Sequence, residues 1–274
     1  MLKGKTFLIT GVADEQSLAM YVAKAIVENG GKVVCTGLGV SKHHENLSDK
    51  AKSFLNATYA DFEKSVKNVL GEETLTCVLD VTLPESIQDF CEKLKTRNIQ
   101  LDGWLHAIAM DKTIRGKVVK PLLEVSLQEF CETMDVSAFS LIKITKALYD
   151  FDLLQPKSSI CSISYIAAGK VTFHPYRNIS IAKAALERIT IELADELGRK
   201  NGTRVNCVRF SPYMGSKAGN ATLTEKDVNT AAKISPLGNA SPEDLAYDVL
   251  NLFRPNGKIT GEIRHIDGGY HIMG

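Results

Sequence analysis

Short apolar runs alternate with longer amphipathic segments along this chain of 274 residues, and this alternation restricts its fold more than any other feature. The apolar runs have the length of buried strands, and the segments between them repeat apolar residues at helical spacing. Strands that alternate with helices pair in parallel, and the helical crossovers cover both faces of the sheet. The sequence therefore predicts the α/β class, as a doubly wound parallel sheet of about seven strands.

The predicted elements follow one another without an internal repeat or a low-complexity linker, so we expect a single domain over residues 1–274. The predicted strands are residues 6–10, 32–36, 75–80, 103–108, 158–164, 204–210 and 262–266. The predicted helices are residues 18–29, 84–95, 127–149, 181–199 and 242–253, with a further helical pattern at residues 60–70 in the long crossover after the second strand.

The charge balance excludes several kinds of partner. The 33 basic residues nearly equal the 32 acidic ones, and the net charge is +1 without a long basic run. A nucleic-acid binder usually carries a basic patch, so we expect neither nucleic acid nor a membrane surface as a partner. The first residues lack a cleavage site for export and no segment is long enough to span a bilayer, which favours a cytoplasmic location.

Cysteine and histidine spacing gives no support for a metal site. The six cysteines are scattered without the spacing of zinc ligands, and several lie in apolar runs, so we expect reduced thiols in the core. The six histidines likewise lack ligand spacing. We therefore expect no metal.

The turn after the first predicted strand is a candidate phosphate site, because ligands of doubly wound sheets bind beyond the carboxyl ends of the strands. It contains Gly11 and, six residues later, Ser17 at the start of the predicted helix. Gly11 permits a close backbone approach, while the Ser17 hydroxyl and the helix amides can bind phosphate. The alternative is an ordinary turn in which Ser17 only caps the helix.

Two further strand ends carry candidate cofactor contacts. Asp80 ends the third predicted strand and could accept a hydrogen bond from an adenine amino group, or it could cap the helix that begins near Pro84. The fourth predicted strand ends with His106 and the segment Ala107-Ile108-Ala109. We expect His106 to be a packing histidine. Small residues in that segment let the backbone pass close to a ribose and a nicotinamide.

Tyr165, Tyr176 and Lys183 form a candidate catalytic group. Tyr165 follows the fifth predicted strand, Tyr176 lies in the next loop, and Lys183 falls near the start of the following helix. Residues at a strand end and on the first turns of the next helix can converge on one cleft. A lysine cation beside a phenol favours its anionic form and can hydrogen-bond a ligand's hydroxyl groups. The group therefore indicates an enzyme, unless the spacing is a coincidence of two common residue types.

The motifs as a set resemble the short-chain dehydrogenase/reductase superfamily and, more narrowly, the bacterial enoyl-acyl-carrier-protein reductases. They are Gly11-x5-Ser17-Leu18-Ala19, Asp80-Val81, His106-Ala107-Ile108-Ala109, Ser164-Tyr165, Tyr176-x6-Lys183-Ala184, Arg204-Val205-Asn206 and Thr260-Gly261-Glu262 followed by Asp267-Gly268-Gly269. The tyrosine stands seven residues before the lysine, whereas ordinary members of the superfamily place it four before, where this chain has Ile179. This spacing favours the enoyl reductases.

The resemblance implies a Rossmann-like reductase that transfers hydride from NADH, with NADPH also possible. The acceptor would be the β-carbon of a trans-2-enoyl thioester linked to acyl carrier protein, in fatty acid elongation. Tyr176 would hydrogen-bond the thioester carbonyl, Lys183 would hold the nicotinamide ribose, and Tyr165 would line the acyl pocket. The implied cofactor contacts are Gly11, Ser17, Leu18, Asp80, Val81, Ala107, Ile108, Ala109, Lys183, Pro212 and Tyr213.

The resemblance also implies features outside the reacting centre. A substrate-binding lid is expected around residues 211–240. A homo-oligomer, a tetramer, is expected to form through the last strand and the helices at 127–149 and 181–199.

The chain departs from the enoyl reductases at ligand-facing places. The two tyrosines are eleven residues apart where the family usually has ten, and Ser211-Pro212-Tyr213-Met214-Gly215 replaces the usual Gly-Pro-Ile-Arg-Thr that clamps the nicotinamide amide and pyrophosphate. Phe173, Tyr213 and Met214 suit an acyl chain or lid packing. Two alternatives stay open: a reductase of the same superfamily acting on another carbonyl or alkene, and a non-catalytic dinucleotide-binding protein.

The second predicted strand leads into Gly37 and Leu38 without the acidic residue that accepts from a ribose 2′-hydroxyl. Lys42, His43 and His44 could contact a 2′-phosphate, or they could belong to a solvated loop. The resemblance favours NADH as the cofactor, because the family commonly uses it, and NADPH stays open as the alternative.

Overall fold

Seven parallel strands form the central sheet of the computed structural model, which describes residues 2–174 and 176–273. In the described residues there are nine strands, of which two form a separate antiparallel ribbon. The sheet strands are β1 (Thr6–Thr10), β2 (Lys32–Gly37), β3 (Leu75–Val78), β4 (Leu101–His106), β7 (Leu154–Tyr165), β8 (Arg204–Phe210) and β9 (Ile263–Ile266), and the ribbon is β5 (Ile114–Arg115) with β6 (Val118–Val119).

Helices cover both faces of this sheet. They are α1 (Leu18–Glu28), α2 (Asp49–Leu70), α3 (Pro84–Thr96), α4 (Leu127–Met134), α5 (Ser140–Asp150), α6 (Asn178–Asn201), α7 (Lys217–Thr222), α8 (Glu225–Ile234) and α9 (Pro242–Phe253). Helices α1, α2 and α9 bury their apolar sides on one face, where the rings of Phe7 and Phe253 stack with centroids 4.9 Å apart. Helices α3, α5 and α6 enclose a second core on the other face, around Phe90 and Trp104.

The strand order is β3-β2-β1-β4-β7-β8-β9, and every neighbouring pair is parallel. The order reverses between β1 and β4, which pair from Phe7 with Gly103 to Thr10 with His106. The turn after Thr10 therefore lies beside the segment after His106, at the point where doubly wound sheets bind their ligands. The predicted doubly wound sheet of seven strands is confirmed.

Three elements differ most from their predictions, and the bounds of the others lie within three residues of the predicted ones. Strand β7 begins four residues before the predicted residue 158, and Lys157 inside it has a φ of +64°, an irregularity that breaks the strand pattern. The helix predicted at residues 127–149 is interrupted by a π turn at Asp135–Phe139. The helical pattern at residues 60–70 extends back to Asp49, because the Ser48 hydroxyl accepts from the Ala51 amide and caps a longer helix.

The predicted lid region, residues 211–240, contains α7 and α8. None of the helices in residues 2–174 and 176–273 combines the length and the apolar composition that crossing a bilayer requires.

Candidate active site

Tyr165, Tyr176 and Lys183 meet at one cavity of about 450 Å³ beyond the carboxyl end of β7. Tyr165 is the last residue of β7, and its ring lies 4.9 Å from that of Tyr176, at an interplanar angle of 56°. Lys183, on the second turn of α6, donates from Nζ to the carbonyl oxygen of Ile163 (2.8 Å). Ile179 also lines the cavity, where it contributes an apolar side chain. The fold thus brings the three predicted side chains together.

Burial gives these groups the protonation states that a donor and a cation need. It raises the pKa of the Tyr176 phenol, and the negative charge of Asp227 acts in the same direction. Burial likewise raises the pKa of Tyr165. It lowers the pKa of Lys183 to about 8, against the opposing influence of Cys207 and Glu187. Near neutral pH the site therefore holds two protonated phenols beside a charged ammonium group.

The predicted phosphate turn has the geometry that close backbone approach requires. Gly11 has a φ of +85°, and a Cβ atom on it would lie 2.3 Å from the carbonyl oxygen of Ala107. Only glycine fits there, where the ends of β1 and β4 almost touch. Ser17 occupies the N-cap position of α1, but its hydroxyl donates to the Asp14 carbonyl (2.8 Å) and makes no cap hydrogen bond. The first amides of α1 consequently have no side-chain acceptor, and no acidic residue stands in its first turn.

The altered segment after β8 reaches across to this turn. The Tyr213 hydroxyl donates to the carbonyl oxygen of Gln16 (3.1 Å), and Lys217 Nζ donates to that of Ala13 (3.2 Å). Pro212 and Tyr213 line the cavity together with Leu18 and Ala109 of the predicted cofactor contacts. Of the three bulky side chains that suit an acyl chain or lid packing, Tyr213 lines the cavity, whereas Phe173 and Met214 are not among its described lining residues.

At the adenosine end, Asp80 does not cap the following helix, and that alternative is wrong. The N-cap of α3 is Leu83, while Asp80 Oδ1 accepts from the amide and hydroxyl of Thr82 (2.8 and 2.6 Å). Asp80 Oδ2 lies 3.2 Å from Nε2 of His44, which is buried rather than solvated.

The other two candidate phosphate contacts share one carboxylate. Nζ of Lys42 and Nε2 of His43 lie 3.1 and 2.8 Å from the carboxylate of Asp89. A 2′-phosphate would therefore compete with the Asp89 carboxylate for both side chains, although Lys42 is largely exposed and its ion pair is weak. His106 packs as predicted, because it is fully buried, contacts the Ser140 hydroxyl (2.8 Å) and has a pKa lowered to about 3 by burial.

A buried ion pair beneath the tyrosines was missed by the sequence reasoning. Glu187 lies four residues after Lys183, on the same side of α6, and accepts from the Ser164 hydroxyl (2.7 Å). Arg209 of β8 donates to both Glu187 oxygens (2.7 and 2.6 Å) and reaches His265 at 3.4 Å. Helical spacing could have indicated Glu187, but its partner on a neighbouring strand has no local sequence signal.

A second polar cluster fixes the start of α6. The buried Asn178 donates from Nδ2 to the Thr133 hydroxyl (3.0 Å) and lies 3.4 Å from Asp111 Oδ1. Arg177, between Tyr176 and this helix, has a φ of +52°, a conformation that side-chain-bearing residues rarely adopt. The turn that presents Tyr176 is therefore held from the α4 side by buried hydrogen bonds.

His265, Asp267 and His271 place three possible metal-ligand atoms within 4.8 Å of one another, a convergence that sequence spacing did not indicate. Nδ1 of each histidine faces the Asp267 carboxylate, at 3.3 and 2.8 Å, and the two rings stack with centroids 3.8 Å apart. The arrangement fits hydrogen bonding to Asp267, and the absence of a metal stays a prediction.

Comparisons with known proteins agree with this geometry. The sequence model of a family described as enoyl-(acyl carrier protein) reductase matches residues 11–271. The enoyl-acyl-carrier-protein reductase (NADH) FabI of Aquifex aeolicus is 32% identical over 279 aligned positions, which cover 100% of this chain and 94% of that protein. The solved FabI–NADH complex of Alistipes finegoldii has a TM-score of 0.84 at 30% identity and covers 100% of this chain and 90% of that one.

A third similar protein binds the phosphorylated cofactor. The enoyl-acyl-carrier-protein reductase of Bacillus cereus, solved with NADP+ and an indole naphthyridinone, has a TM-score of 0.81 at 25% identity, with 100% of both chains covered. The similarity of all three extends over this whole chain.

Replacement of Arg209 by Met is expected to lower the free energy of unfolding by about 3 to 5 kcal/mol, because it leaves the buried Glu187 carboxylate without its charged partner. Urea denaturation measures this change. The double variant Glu187→Gln/Arg209→Met should regain a large part of the loss, since it buries no unpaired charge. A single variant within about 1 kcal/mol of the unchanged protein would contradict the assignment.

Proposed function

The chain belongs to the enoyl-(acyl carrier protein) reductase family, and on that premise we propose that it reduces the trans-2 double bond of an enoyl thioester linked to acyl carrier protein, in fatty acid elongation. One observation carries the proposal. Tyr176, seven residues before Lys183 in sequence, contacts the Tyr165 ring at the cavity that Lys183 also lines. Ile179, where other reductases of the superfamily carry their tyrosine, has no proton to donate.

NADH, when bound, supplies the hydride for the β-carbon of the substrate. Negative charge then develops on the thioester oxygen, and a donor aimed at that oxygen lowers the barrier. We assign this donor to Tyr176, because burial keeps its hydroxyl protonated. The Lys183 ammonium group adds positive charge beside it. Preorganised donors of this kind are worth about 3 to 4 kcal/mol of barrier height. Protonation at the α-carbon completes the reduction. In this arrangement Tyr165 lines the pocket for the acyl chain.

The residues of this chain fit a dinucleotide at the switch point. Gly11 leaves room for a close backbone approach, and the first amides of α1 have no side-chain acceptor. Lys217 supplies a cation beside that turn, since its observed bond goes to a neutral carbonyl and no carboxylate of the described residues pairs with it. We propose that the α1 amides and Lys217 hold the pyrophosphate, with Lys183 on the nicotinamide ribose.

NADH is the cofactor that the comparisons and the adenosine end support. The Aquifex aeolicus relative is named for NADH, and the Alistipes finegoldii structure contains it. The side chains that could meet a 2′-phosphate, Lys42 and His43, are paired with Asp89, and His44 is paired with Asp80. NADPH would have to displace these contacts to gain its extra charge interaction.

We also propose that residues 1–274 act as one reductase domain, with residues 211–240 as its lid, and that the protein is a cytoplasmic homotetramer. Apolar side chains exposed along the segment from α4 through the π turn to α5, and along α6, support the assembly, because these elements are expected to pack against other copies. They are Leu127, Phe139, Tyr149, Ile181 and Ile191. The location is supported by the six cysteines, all of them free thiols.

When the purified protein is mixed with NADH and a crotonyl thioester, we expect NADH to be oxidised and its absorbance to fall. Replacement of Tyr176 by Phe should lower kcat by about 100-fold or more, because it removes the donor and keeps the ring. Fluorescence titration should find NADH affinity unchanged within about twofold. Tyr247, exposed on α9, provides the control, and its replacement by Phe should leave both quantities unchanged.

Three outcomes would contradict parts of this proposal. Turnover of a ketone or another alkene, without turnover of the thioester, would indicate a different reductase of the superfamily. Tight NADH binding without turnover of any substrate would indicate a non-catalytic dinucleotide-binding protein. A Tyr176→Phe variant with unchanged kcat would reject the assigned donor.

The pH dependence follows from Lys183. Because burial lowers its pKa to about 8, the ammonium charge is present below that pH and disappears as the pH rises through it. We expect kcat/KM, which reports the free enzyme, to fall by up to about tenfold per pH unit above pH 8. Initial rates between pH 7 and 10 measure this alkaline limb.

The Lys183→Arg variant tests which group is responsible, because an arginine stays charged throughout this range. Its kcat/KM is expected to be lower in magnitude but without the fall above pH 8. The same alkaline limb in both proteins would assign it to another group.

A further inference from the structure

His174 contacts the catalytic tyrosine, although the mechanism above gives it no role. It lies in the loop between β7 and α6, only 8% exposed. Its imidazole stands edge-on to the Tyr176 ring, with centroids 4.9 Å apart and an interplanar angle of 80°. Together with Tyr165, it gives the Tyr176 ring two aromatic neighbours that restrict its orientation.

The same imidazole also contacts the lid. Its Nδ1 lies 3.4 Å from Oδ2 of Asp227, on the first turn of α8. Asp227 has a second role there, since its carboxylate accepts from the amide of Thr224 (2.8 Å) and completes a capping box with that residue. One buried side chain therefore connects the phenol of the active site to a lid helix that is about 50 residues later in the chain.

The remaining ring nitrogen points to a functional role rather than to packing alone. Nε2 of His174 is buried and has no hydrogen-bond partner in the described residues. With the Nδ1 proton facing the Asp227 carboxylate, Nε2 is left as an acceptor. Buried polar atoms without a partner are few in a folded protein, and this one differs from the others in belonging to a ring that contacts both Tyr176 and α8.

We propose that His174 is a positioning residue, which Asp227 holds against Tyr176 so that the phenol adopts its reactive orientation when α8 packs on the loop. This inference rests on the proposed function. Its neutral form is the competent one, because protonation would bury an N–H at Nε2 for which the described residues provide no acceptor. Burial lowers the pKa of His174, and the charge of Asp227 opposes that shift.

Titratable groups from each neighbouring element surround His174, Asp227 and the Tyr176 phenol. Asp227 and Lys226 belong to α8, and the phenols of Tyr165, Tyr176 and Tyr270 come from β7, the loop and the C-terminal turn. The phenols stay protonated in acid, so His174 is the group of this set whose ordinary pKa lies nearest neutral pH, and burial lowers that pKa.

The experiment compares Asp227→Asn with Thr224→Ala. Both variants weaken the capping box of α8, because Thr224→Ala removes its hydroxyl and Asp227→Asn leaves only a neutral oxygen as acceptor. Only Asp227→Asn loses the carboxylate that faces His174. For Asp227→Asn we expect kcat with a crotonyl thioester to fall by about tenfold, with NADH affinity unchanged, because a small misplacement of a donor is costly. Thr224→Ala should keep kcat within about twofold. Equal kcat losses in the two variants would show that fraying of α8 explains the loss, and this result would overturn the proposal.

The pH profile separates positioning from packing. The unchanged protein should lose kcat/KM in acid with a midpoint below 6.5, the ordinary pKa of histidine. His174→Phe keeps an aromatic ring and should abolish this acid limb, while Asp227→Asn should move it to lower pH. An acid limb unchanged in His174→Phe would overturn the assignment.

Hydrogen exchange tests the link without turnover. Asp227→Asn should speed amide exchange in residues 166–174 as well as in α8, whereas Thr224→Ala should speed it in α8 alone. If the unchanged protein failed to reduce the thioester, the proposed reaction would be wrong, and exchange would still decide whether the link exists. No effect of Asp227→Asn on residues 166–174 would exclude it.

Discussion

The hydrogen bond from the buried ammonium group of Lys183 to the carbonyl oxygen of Ile163 is the contact on which the rest of the site depends. Strand β4 ends its pairing with β7 at Ser162, so this carbonyl lies just beyond the end of that ladder. A helix residue can reach it only if α6 crosses the end of β7 closely. That crossing sets the distance from Lys183 to Tyr165 and fixes where the loop with Tyr176 must return.

Burial of Lys183 lowers its pKa to about 8, and the surroundings offset only part of this effect. Glu187, one turn later on α6, is the nearest carboxylate on the same helix face, yet its two oxygens are occupied by Arg209 and Ser164. A carboxylate committed to a guanidinium raises the pKa of Lys183 less than a free one would. The ammonium group thus stays available for a ligand. The buried Glu187–Arg209 pair therefore affects the charge of the site as well as the stability of the fold.

The sequence predicted most of the fold because each prediction depended on local spacing. The strand at Thr6–Thr10 and the strand at Arg204–Phe210 were predicted at their observed bounds, since alternation and helical periodicity are properties of neighbouring residues. Gly11, Tyr176 and Lys183 were found in the same way, from motifs within one turn or loop. The interruption at Asp135–Phe139 was missed, because a π turn preserves the apolar pattern of a helix.

Contacts between distant segments account for what the sequence could not give. Lys217 and Ala13 are separated by 204 positions, and Tyr213 and Gln16 by 197. Both bonds connect the segment after β8 and the start of α7 to carbonyl oxygens of the turn after β1. A dinucleotide bound at the switch point, as proposed above, would lie beside both segments. Its affinity would then depend on how these two hydrogen bonds hold the segment after β8 against that turn.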